Sequence, residues 1–396
     1  MRPYLLGHTS RSKPTLLSVQ PVVDGGGSER ALIGMIRQLA GAGWECHVAV
    51  PGPPVLAEQY RQAGAALHLV EMDRVTSSGH WSRWLRFAGR WPRSVVSLWR
   101  LARELDAEVI HSNSLHCWYG WGAAILARRP HVWHAREVVF QSPVALKLER
   151  LLARHFARTV IAISDAVATQ LDQANVLVVR DEVDPEVFNP KHAGRFRERA
   201  GIPDDVALVG SVGRLDTWKG FDTLIEAFSV IRQARPATEL VVAGPTVPGK
   251  EGYAAQLETT ARSLDGVHWL GPRDDVAELM ADCDVFVAVS SEPEPYGLVL
   301  VEALACGTPV VAGDAGGPVE ILGGDTWSPA GRLVRPSDPA ALAAAVVDLL
   351  PEAQTSTQSR RQRKALRSGS GVDFEAVFAQ VRSRYGRQVR SRRSRK

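Results

Sequence analysis

Residues 290–320 read SSEPEPYGLVLVEALACGTPVVAGDAGGPVE, and they contain the patterns that decide the fold. The apolar run at 285–289 precedes them and is typical of a buried parallel strand. We predict a helix over 296–306, a second short strand at 310–311 and another helix that opens at 316–318. Because helix N-termini present unpaired N–H groups and a partial positive charge, this stretch offers two positions suited to a phosphate.

Two glutamates accompany these helix starts. Glu294 precedes the first helix and Glu302 lies inside it. A carboxylate accepts hydrogen bonds in pairs, which suits the vicinal hydroxyl groups of a sugar or a ribose. An ordinary strand-loop-helix unit with solvated glutamates is the alternative. The coincidence of both glutamates with two glycine turns favours a ligand site.

The length and composition are those of a two-domain globular protein. Its 396 residues exceed the usual size of one domain, and we place the boundary near residues 180–190, where polar residues and prolines gather. No apolar run approaches the roughly 18–20 residues of a membrane span, and the N-terminus lacks the apolar core of a signal peptide. The cysteines are scattered without metal-ligand spacing, which predicts a reduced, cytoplasmic protein.

Short β-rich runs alternate with helical patterns along the first half, which predicts an α/β fold with a parallel sheet covered on both faces. Three glycines at 25–27 lead into a helix over 28–40 and would let backbone approach a ligand, although a plain tight turn has the same pattern. The dinucleotide-binding spacing is absent. His111 and His134 lie at predicted strand ends, where such sheets bind ligands, although each alone is also typical of a structural histidine.

The second half repeats this strand, glycine loop and helix. Its loop reads GRLDTWKG at 213–220, and Arg214 and Lys219 flank it. Arginine offers a bidentate fork for phosphate oxygens, and lysine offers a mobile point charge. Asp282 and Asp284 have a spacing that can hold a metal, but they precede a predicted strand instead of following it. We therefore predict that they are helix-end and turn residues and that no catalytic metal is bound.

Residues 81–105 combine tryptophans with arginines. Apolar residues recur there at helical spacing, arginines lie off that stripe, and Pro92 predicts two helices instead of one. Two packed surface helices with a solvated arginine face would show this pattern. The alternatives are a peripheral contact with an anionic membrane surface, or a site for an anionic lipid-phosphate acceptor. Nucleic acid is disfavoured as a partner because no recognised binding motif accompanies the cluster.

With these features placed, the chain resembles the family-four retaining glycosyltransferases of GT-B fold. The paired glutamates, followed by GTPVV at 307–311 and the GGxxE pattern at 316–320, carry the resemblance most specifically. It implies two facing Rossmann-like domains with a central cleft, namely an acceptor domain at 1–185 and a nucleotide-sugar donor domain at 186–350. A linker, a C-terminal helix and a basic tail would occupy 351–396. The resemblance implies a nucleotide-diphosphate sugar as substrate, with no separate cofactor and no catalytic metal.

The resemblance also assigns roles to residues of the cleft. Arg214 and Lys219 would neutralise the donor diphosphate. Glu294 would contact the transferred sugar, Glu302 would hold the ribose hydroxyls, and His134 would contact the sugar from the first domain. The remaining donor contacts that it implies are Gly26, Gly27, Arg273, Tyr296, Gly297, Leu298 and Val299.

The implied reaction passes through an oxocarbenium-like transition state with charge growing on the diphosphate, which Arg214, Lys219 and the helix N-termini would stabilise. Retention would follow if the departing phosphate takes the acceptor proton, and Glu294 as a covalent nucleophile is the less favoured route. Asp181 and Glu182 stand where the family usually has Asn-Gly, which affects the expected hinge turn.

The leading prediction is a glycosyltransferase that acts on a glycan or a lipid-linked acceptor in cell-surface polysaccharide or glycolipid synthesis. We expect it in the cytoplasm or peripheral on the inner membrane face, with the membrane contact at 81–105. A sugar-nucleotide epimerase of the same fold and a non-catalytic membrane-associated scaffold are the alternatives. Ser164 fits a common motif position without an assigned role.

Overall fold

The computed structural model describes residues 13–73, 81–139, 142–172, 175–323, 330–351, 357–361, 363 and 374–393, and it does not describe the side chains of 81–84 and 384–393. Within these ranges the chain forms two parallel sheets with helices between the strands. The predicted α/β fold with two Rossmann-like domains is therefore confirmed.

The first sheet has the strand order β3-β2-β1-β4-β5-β6-β7 among the described residues. Its strands are β1 (Thr15–Val19), β2 (Glu45–Val50), β3 (Ala65–Leu69), β4 (Val109–Ser112), β5 (His131–Ala135), β6 (Thr159–Ala162) and β7 (Val176–Val178). Its helices are α1 (Gly27–Gly41), α2 (Ala57–Gln62), α3 (Trp81–Glu104), α4 (Gly120–Ala127), α5 (Pro143–Phe156) and α6 (Asp165–Leu171). Leu16 and Leu17 of β1 are both fully buried, in two different apolar clusters, as expected for a strand covered on both faces.

The second sheet has the strand order β10-β9-β8-β11-β12-β13 among the described residues. Its strands are β8 (Ala207–Val212), β9 (Thr238–Ala243), β10 (Val267–Gly271), β11 (Val285–Ala288), β12 (Val310–Gly313) and β13 (Gly331–Val334). Its helices are α7 (Arg195–Ala200), α8 (Phe221–Ala234), α9 (Glu251–Arg262), α10 (Val276–Asp282), α11 (Leu298–Ala305), α12 (Gly317–Leu322) and α13 (Pro339–Leu349). Short 3-10 helices cover Pro190–His192 and Thr217–Lys219.

The strand order of each sheet reverses once, between β1 and β4 in the first domain and between β8 and β11 in the second. Loops that leave such a pair of strands diverge to opposite faces and leave a crevice at the carboxyl edge of the sheet. The glycine turn at 25–27 and the loops at 213–220 and 290–297 follow these strands. The topology therefore places the predicted ligand residues at the two switch points.

The C-terminal segment returns the chain to the first domain. After α14 (Thr357–Arg361), helix α15 (Phe374–Arg393) buries Phe374 and Phe378 in the apolar cluster of the first sheet, where Phe378 meets Trp44 edge to face. Helix α14 stays on the second domain through the buried ion pair of Arg360 with Asp284. The C-terminal segment thus contacts both domains, the second through α14 and the first through α15.

The prediction that Pro92 splits residues 81–105 into two helices is wrong, because α3 is continuous through Pro92. Contacts close to the proline hold the helix against the first domain on either side of Pro92. Trp91 Nε1 donates to the Trp118 carbonyl oxygen (2.8 Å), and Ser94 Oγ donates to the Glu71 carbonyl oxygen (2.6 Å). These tertiary bonds, and the burial of the helix face that follows, offset the backbone bond that a proline removes.

Candidate active site at the domain cleft

Lys219 and Glu294 meet at the carboxyl edge of the second sheet. Lys219 Nζ lies 2.6 Å from Glu294 Oε2, and Ser290 Oγ donates to the same carboxylate oxygen over 2.8 Å. The ammonium group also lies 4.0 Å from the ring centroid of Trp218, which adds a cation–π contact. Both side chains remain partly exposed, so a ligand can reach them. The structure brings together the two residues that the sequence assigned to the diphosphate and the sugar.

Arg214 pairs with a carboxylate of the other domain. Its guanidinium lies 3.2 Å from Asp24 Oδ2, and Asp24 Oδ1 accepts a hydrogen bond from the Gly26 backbone N–H (3.1 Å). Each cation that the sequence predicted for the diphosphate therefore faces a carboxylate. Sequence reasoning did not assign a role to Asp24, although the residue directly precedes the glycine turn.

Glu302 lies in α11, the helix that follows residues 290–297. We call these residues, which carry Glu294, the Glu294 loop. Its carboxyl group is almost fully buried, and this desolvation raises its pKa to about 7. The Arg30 guanidinium, which belongs to α1 of the first domain, opposes the shift. In its ionised form this carboxylate can accept hydrogen bonds from hydroxyl groups.

The turns around Glu294 require glycine. Gly317 N–H donates to the Glu294 carbonyl oxygen (2.8 Å), and a Cβ at Gly316 or Gly317 would collide with the backbone of 294–296. Gly316 also has φ +76°, and Gly297, which precedes α11, has φ +99°. These close approaches explain why the GGxxE pattern follows the paired glutamates.

The backbone groups predicted for the donor lie at the first turn of α11. Leu298 and Val299 begin this helix directly after Gly297, and both are half-buried. The Tyr296 side chain is buried and points away from them, since its hydroxyl group lies 3.4 Å from the Asp181 carbonyl oxygen. Tyr296 thereby anchors the loop to the interdomain segment.

The glycine turn of the first domain opens α1. Gly26 is the N-cap and Gly27 is the first residue of the helix. A Cβ added at Gly27 would have no neighbouring heavy atom within 4 Å. Glu29 Oε2 accepts a hydrogen bond from the Gly25 N–H over 2.5 Å, and burial raises the pKa of Glu29 to about 7. The turn therefore presents backbone next to Asp24, at the carboxyl end of β1.

His134 does not line the cleft, which corrects the predicted sugar contact. Its side chain is fully buried. Its Nδ1 atom lies 3.4 Å from His111 Nε2, and the centroid of its ring lies 5.8 Å from that of Phe374 in α15. Burial lowers the pKa values of both histidines well below the usual range, so they are neutral. The sugar contact is implied by the family resemblance, and neither the resemblance nor the position at a strand end reveals that the C-terminal helix packs against the ring.

Arg136 lies two residues beyond His134 and is the centre of a buried polar network. It donates to Asn113 Oδ1 (2.8 Å) and pairs with Asp181 (2.6 Å), and Asn113 Nδ2 donates to Gln20 Oε1 (2.7 Å). The network ties the first domain to the interdomain segment at the position where the family usually has Asn-Gly. No periodicity or motif in the sequence indicates this network.

Arg273 follows β10 and holds Asp275 through two hydrogen bonds of 2.8 and 2.6 Å. Its guanidinium is thereby held by a carboxylate of the same loop, and its predicted donor contact stays a prediction. A cavity of about 260 Å³ adjoins this loop, and its lining includes Leu215, Trp269 and Gly271. Arg273 itself is not part of that lining.

Asp282 and Asp284 have structural roles. Asp282 accepts hydrogen bonds from the backbone N–H groups of Gly194, Phe196 and Arg197 at the start of α7. Asp284 forms buried ion pairs, including one with Arg197 at 3.0 Å. Both are helix-end and turn residues, as predicted. No group of three or more histidine, cysteine, aspartate or glutamate side chains suited to a metal occurs among the described residues.

Comparison with protein families gives two matches that together cover most of the chain. The model of the Glycosyltransferase Family 4 matches residues 25–186, and the model of the Glycosyl transferases group 1 matches residues 193–366. A protein of Kineococcus radiotolerans is 33% identical over 301 residues, which are 71% of this chain and 67% of that protein. A protein of Stackebrandtia nassauensis is 34% identical over 241 residues, which are 53% of each. Both are named D-inositol 3-phosphate glycosyltransferase, and the chain matches about half the length of the latter.

Solved structures share the fold at lower sequence identity. Anabaena Alr3699/HepE in complex with UDP and glucose superposes with a TM-score of 0.74 at 24% identity, over 97% of this chain and 100% of that chain. Sucrose-phosphate synthase from Thermosynechococcus elongatus superposes with a TM-score of 0.67 at 20% identity, with the same coverage. These similarities show the two-domain architecture.

Proposed function

Because this chain belongs to the family-four glycosyltransferases of GT-B fold, we propose that it transfers a sugar from a nucleotide-sugar donor to an acceptor with retention of anomeric configuration. The observation that carries the proposal is that the loop at 213–220 makes two ion pairs, Arg214 with Asp24 of the first domain and Lys219 with Glu294. A donor diphosphate requires two cations, and a sugar requires a carboxylate beside them. The first domain, with its glycine turn, would form the facing wall.

Donor binding would exchange the partners of the two cations. The diphosphate oxygens would replace the carboxylate of Asp24 at Arg214 and that of Glu294 at Lys219. Glu294 would then be released towards the sugar hydroxyls, and Glu302 would accept hydrogen bonds from the ribose. The N–H groups at the start of α11 would complete the phosphate contacts. Each step uses a group that the cleft already presents.

Retention is the finer part of this proposal. The bond between the anomeric carbon and the phosphate oxygen would break as the bond to the acceptor oxygen forms on the same face. The acceptor proton would pass to an oxygen of the departing diphosphate, and Arg214 and Lys219 would stabilise the charge on that group. The hydrogen bond from Ser290 Oγ to Glu294 Oε2 (2.8 Å) supports this route, because a carboxylate that accepts a hydrogen bond is a weakened nucleophile even after Lys219 has moved to the diphosphate.

The acceptor would be a glycan or a lipid-linked molecule of cell-surface polysaccharide or glycolipid synthesis. The relatives named for D-inositol 3-phosphate add a small phosphorylated polyol to the acceptors worth testing. The neighbour that holds UDP and glucose makes UDP-sugars the first donors to try.

The test is a transfer assay with UDP-, GDP- and ADP-sugars against these acceptors, read by mass spectrometry and by NMR of the anomeric proton. Retention predicts that donor and product share anomeric configuration, and an inverted product would overturn that part. Conversion of the sugar nucleotide without an acceptor would instead identify an epimerase. No turnover with any donor, together with no binding of UDP, GDP or ADP, would favour the non-catalytic scaffold.

We also propose a peripheral contact of α3 with an anionic membrane, as the sequence predicts for 81–105. Arg86 and Arg93 are exposed on this helix, whereas Val95 and Leu98 pack inward. Because the apolar stripe of the helix packs into the domain, the exposed basic face would attract anionic lipid mainly by its charge. Among the described residues no helix has the length and apolarity to cross a bilayer. The predicted headgroup contacts of Trp81 and Trp84 lie outside the described side chains.

A further inference from the structure

Ser164 makes two hydrogen bonds that connect the domains. It is the N-cap of α6, and its Oγ accepts a hydrogen bond from the Val167 N–H over 3.0 Å. The same hydroxyl group donates to the Pro295 carbonyl oxygen over 2.6 Å, on the second domain. Pro295 directly follows Glu294, and Ser164 is fully buried. One side chain thus caps α6 of the first domain and also binds the backbone of the Glu294 loop in the second.

Glu320 makes the reciprocal connection from the second domain. Its carboxylate accepts hydrogen bonds from the backbone N–H groups of Asp165 (2.9 Å) and Ala166 (2.7 Å), which start α6. It also pairs with Arg180 at 3.1 Å, in the segment that leads out of the first domain. The first turn of α6 therefore receives its capping carboxylate from the opposite domain, an arrangement that exists only while the domains are together.

Both connections converge on Glu294. Glu320 lies in the first turn of α12, and Gly317 at the start of that helix donates its N–H to the Glu294 carbonyl oxygen over 2.8 Å. Ser164 holds the next carbonyl oxygen along the chain, that of Pro295. Two consecutive carbonyl groups are therefore fixed, one by Ser164 directly and the other through the helix that Glu320 ties to the first domain.

We propose that Ser164 and Glu320 are positioning residues that fix the Glu294 loop in its reactive position only when the cleft is closed. Neither side chain is assigned a ligand contact, and their effect on catalysis would pass through the backbone of 294–297. The inference rests on the proposed function for its effect on turnover, whereas its effect on the loop is independent of any substrate. Opening of the domains would release both bonds and loosen Glu294.

The experiment compares Ser164→Ala and Glu320→Gln with Ser142→Ala. Ser142 is a matched control because it caps α5 by accepting from the Ala145 N–H (3.2 Å), so that its removal costs a helix cap of the same type outside the interdomain contact. Hydrogen exchange of the ligand-free proteins is the first measurement. We expect the Gly317 amide to exchange at least about 10-fold faster in the Ser164 and Glu320 variants and to be unchanged in the control. Equal exchange in all three variants would overturn the proposal.

Turnover is the second measurement. The positioning role predicts that kcat falls roughly 10- to 100-fold while the dissociation constant of the nucleoside diphosphate changes less than about 3-fold, because Arg214 and Lys219 are intact. A fall in kcat no larger than that of the Ser142 control would also overturn the proposal. If the wild-type protein transfers no sugar, the proposed function fails, and the exchange measurement still decides the role of Ser164 and Glu320. Glu320→Gln keeps the experiment decisive if removal of the buried Ser164 hydroxyl prevents folding.

Discussion

Lys219 Nζ lies 2.6 Å from Glu294 Oε2, so the residue predicted to bind the diphosphate neutralises the residue predicted to bind the sugar. An ion pair between partly exposed side chains contributes little to stability, typically about 0.2–1 kcal/mol. The pair is therefore better explained by the needs of the cleft than by those of the fold.

Lys219→Ala should reduce sugar transfer strongly while the protein stays folded. Loss of a group that stabilises charge on the leaving diphosphate typically lowers the rate about 100- to 1,000-fold. The measurement is kcat/KM with the best donor, together with the melting temperature. Lys147→Ala is the matched control, because Lys147 is an exposed lysine on α5. A rate within about 3-fold of wild type would contradict the role assigned to Lys219.

Asp24→Asn should strengthen binding of the free nucleoside diphosphate. The carboxylate of Asp24 lies 3.2 Å from the Arg214 guanidinium, so a phosphate must compete with it for that group. Removal of a competing carboxylate at a partly exposed pair is worth up to about 1 kcal/mol, or roughly 5-fold in affinity. Calorimetry with UDP, GDP and ADP measures the change.

The control for Asp24 is Asp73→Asn, which removes a similar ion pair with Arg90 (3.3 Å) on α3. The control should leave nucleotide affinity unchanged. Weaker nucleotide binding by the Asp24 variant would show instead that Asp24 orients Arg214 for the phosphate. High salt should shrink the difference between variant and wild type, because screening weakens exposed ion pairs.

Glu302→Gln should stabilise the ligand-free protein at alkaline pH. Burial raises the pKa of Glu302 from 4.5 to about 7, so the folded state binds this proton more tightly than the unfolded state. Stability must then fall as pH rises from about 4.5 through 7, and the loss is complete above pH 7. The variant lacks this titration and should exceed wild type by on the order of 3 kcal/mol at pH 8.5.

Urea unfolding at pH 5 and pH 8.5 tests this, with the exposed Glu226→Gln as control. Wild type and the Glu302 variant should differ little at pH 5. The wild-type affinity for a nucleoside diphosphate should rise between pH 6 and 8 as the carboxylate forms, and the variant should lose this rise. Equal stability of both proteins at pH 8.5 would contradict a desolvated carboxyl group at Glu302.

The sequence predicted the fold well because each domain repeats local patterns. Strand-helix alternation and the two glycine loops place the switch points, and the paired glutamates fall at one of them. The pairs Asp24–Arg214 and Ser164–Pro295 join residues that lie 190 and 131 positions apart. No periodicity links such residues, so these contacts could not be read from the sequence.

Two incorrect predictions have the same physical origin. Pro92 breaks a helix by its local chemistry, but tertiary hydrogen bonds of Trp91 and Ser94 preserve α3. His134 ends a strand at the ligand edge, but Phe374 of the C-terminal helix covers it. In both cases a distant part of the chain overrides a correct local preference.

The last prediction concerns the basic face of α3. Because Arg86 and Arg93 are exposed, replacement of both by glutamine should weaken binding to anionic vesicles roughly 30-fold, at about 1 kcal/mol for each arginine near the surface. The control replaces the exposed Arg61 and Arg262, which changes the net charge equally but lies on α2 and α9. Co-sedimentation with phosphatidylglycerol vesicles at low salt is the measurement, and 0.5 M salt should abolish it in wild type. Failure of the wild-type protein to co-sediment at low salt would refute the membrane contact. Equal loss in the control would show that net charge, and not this face, governs the binding.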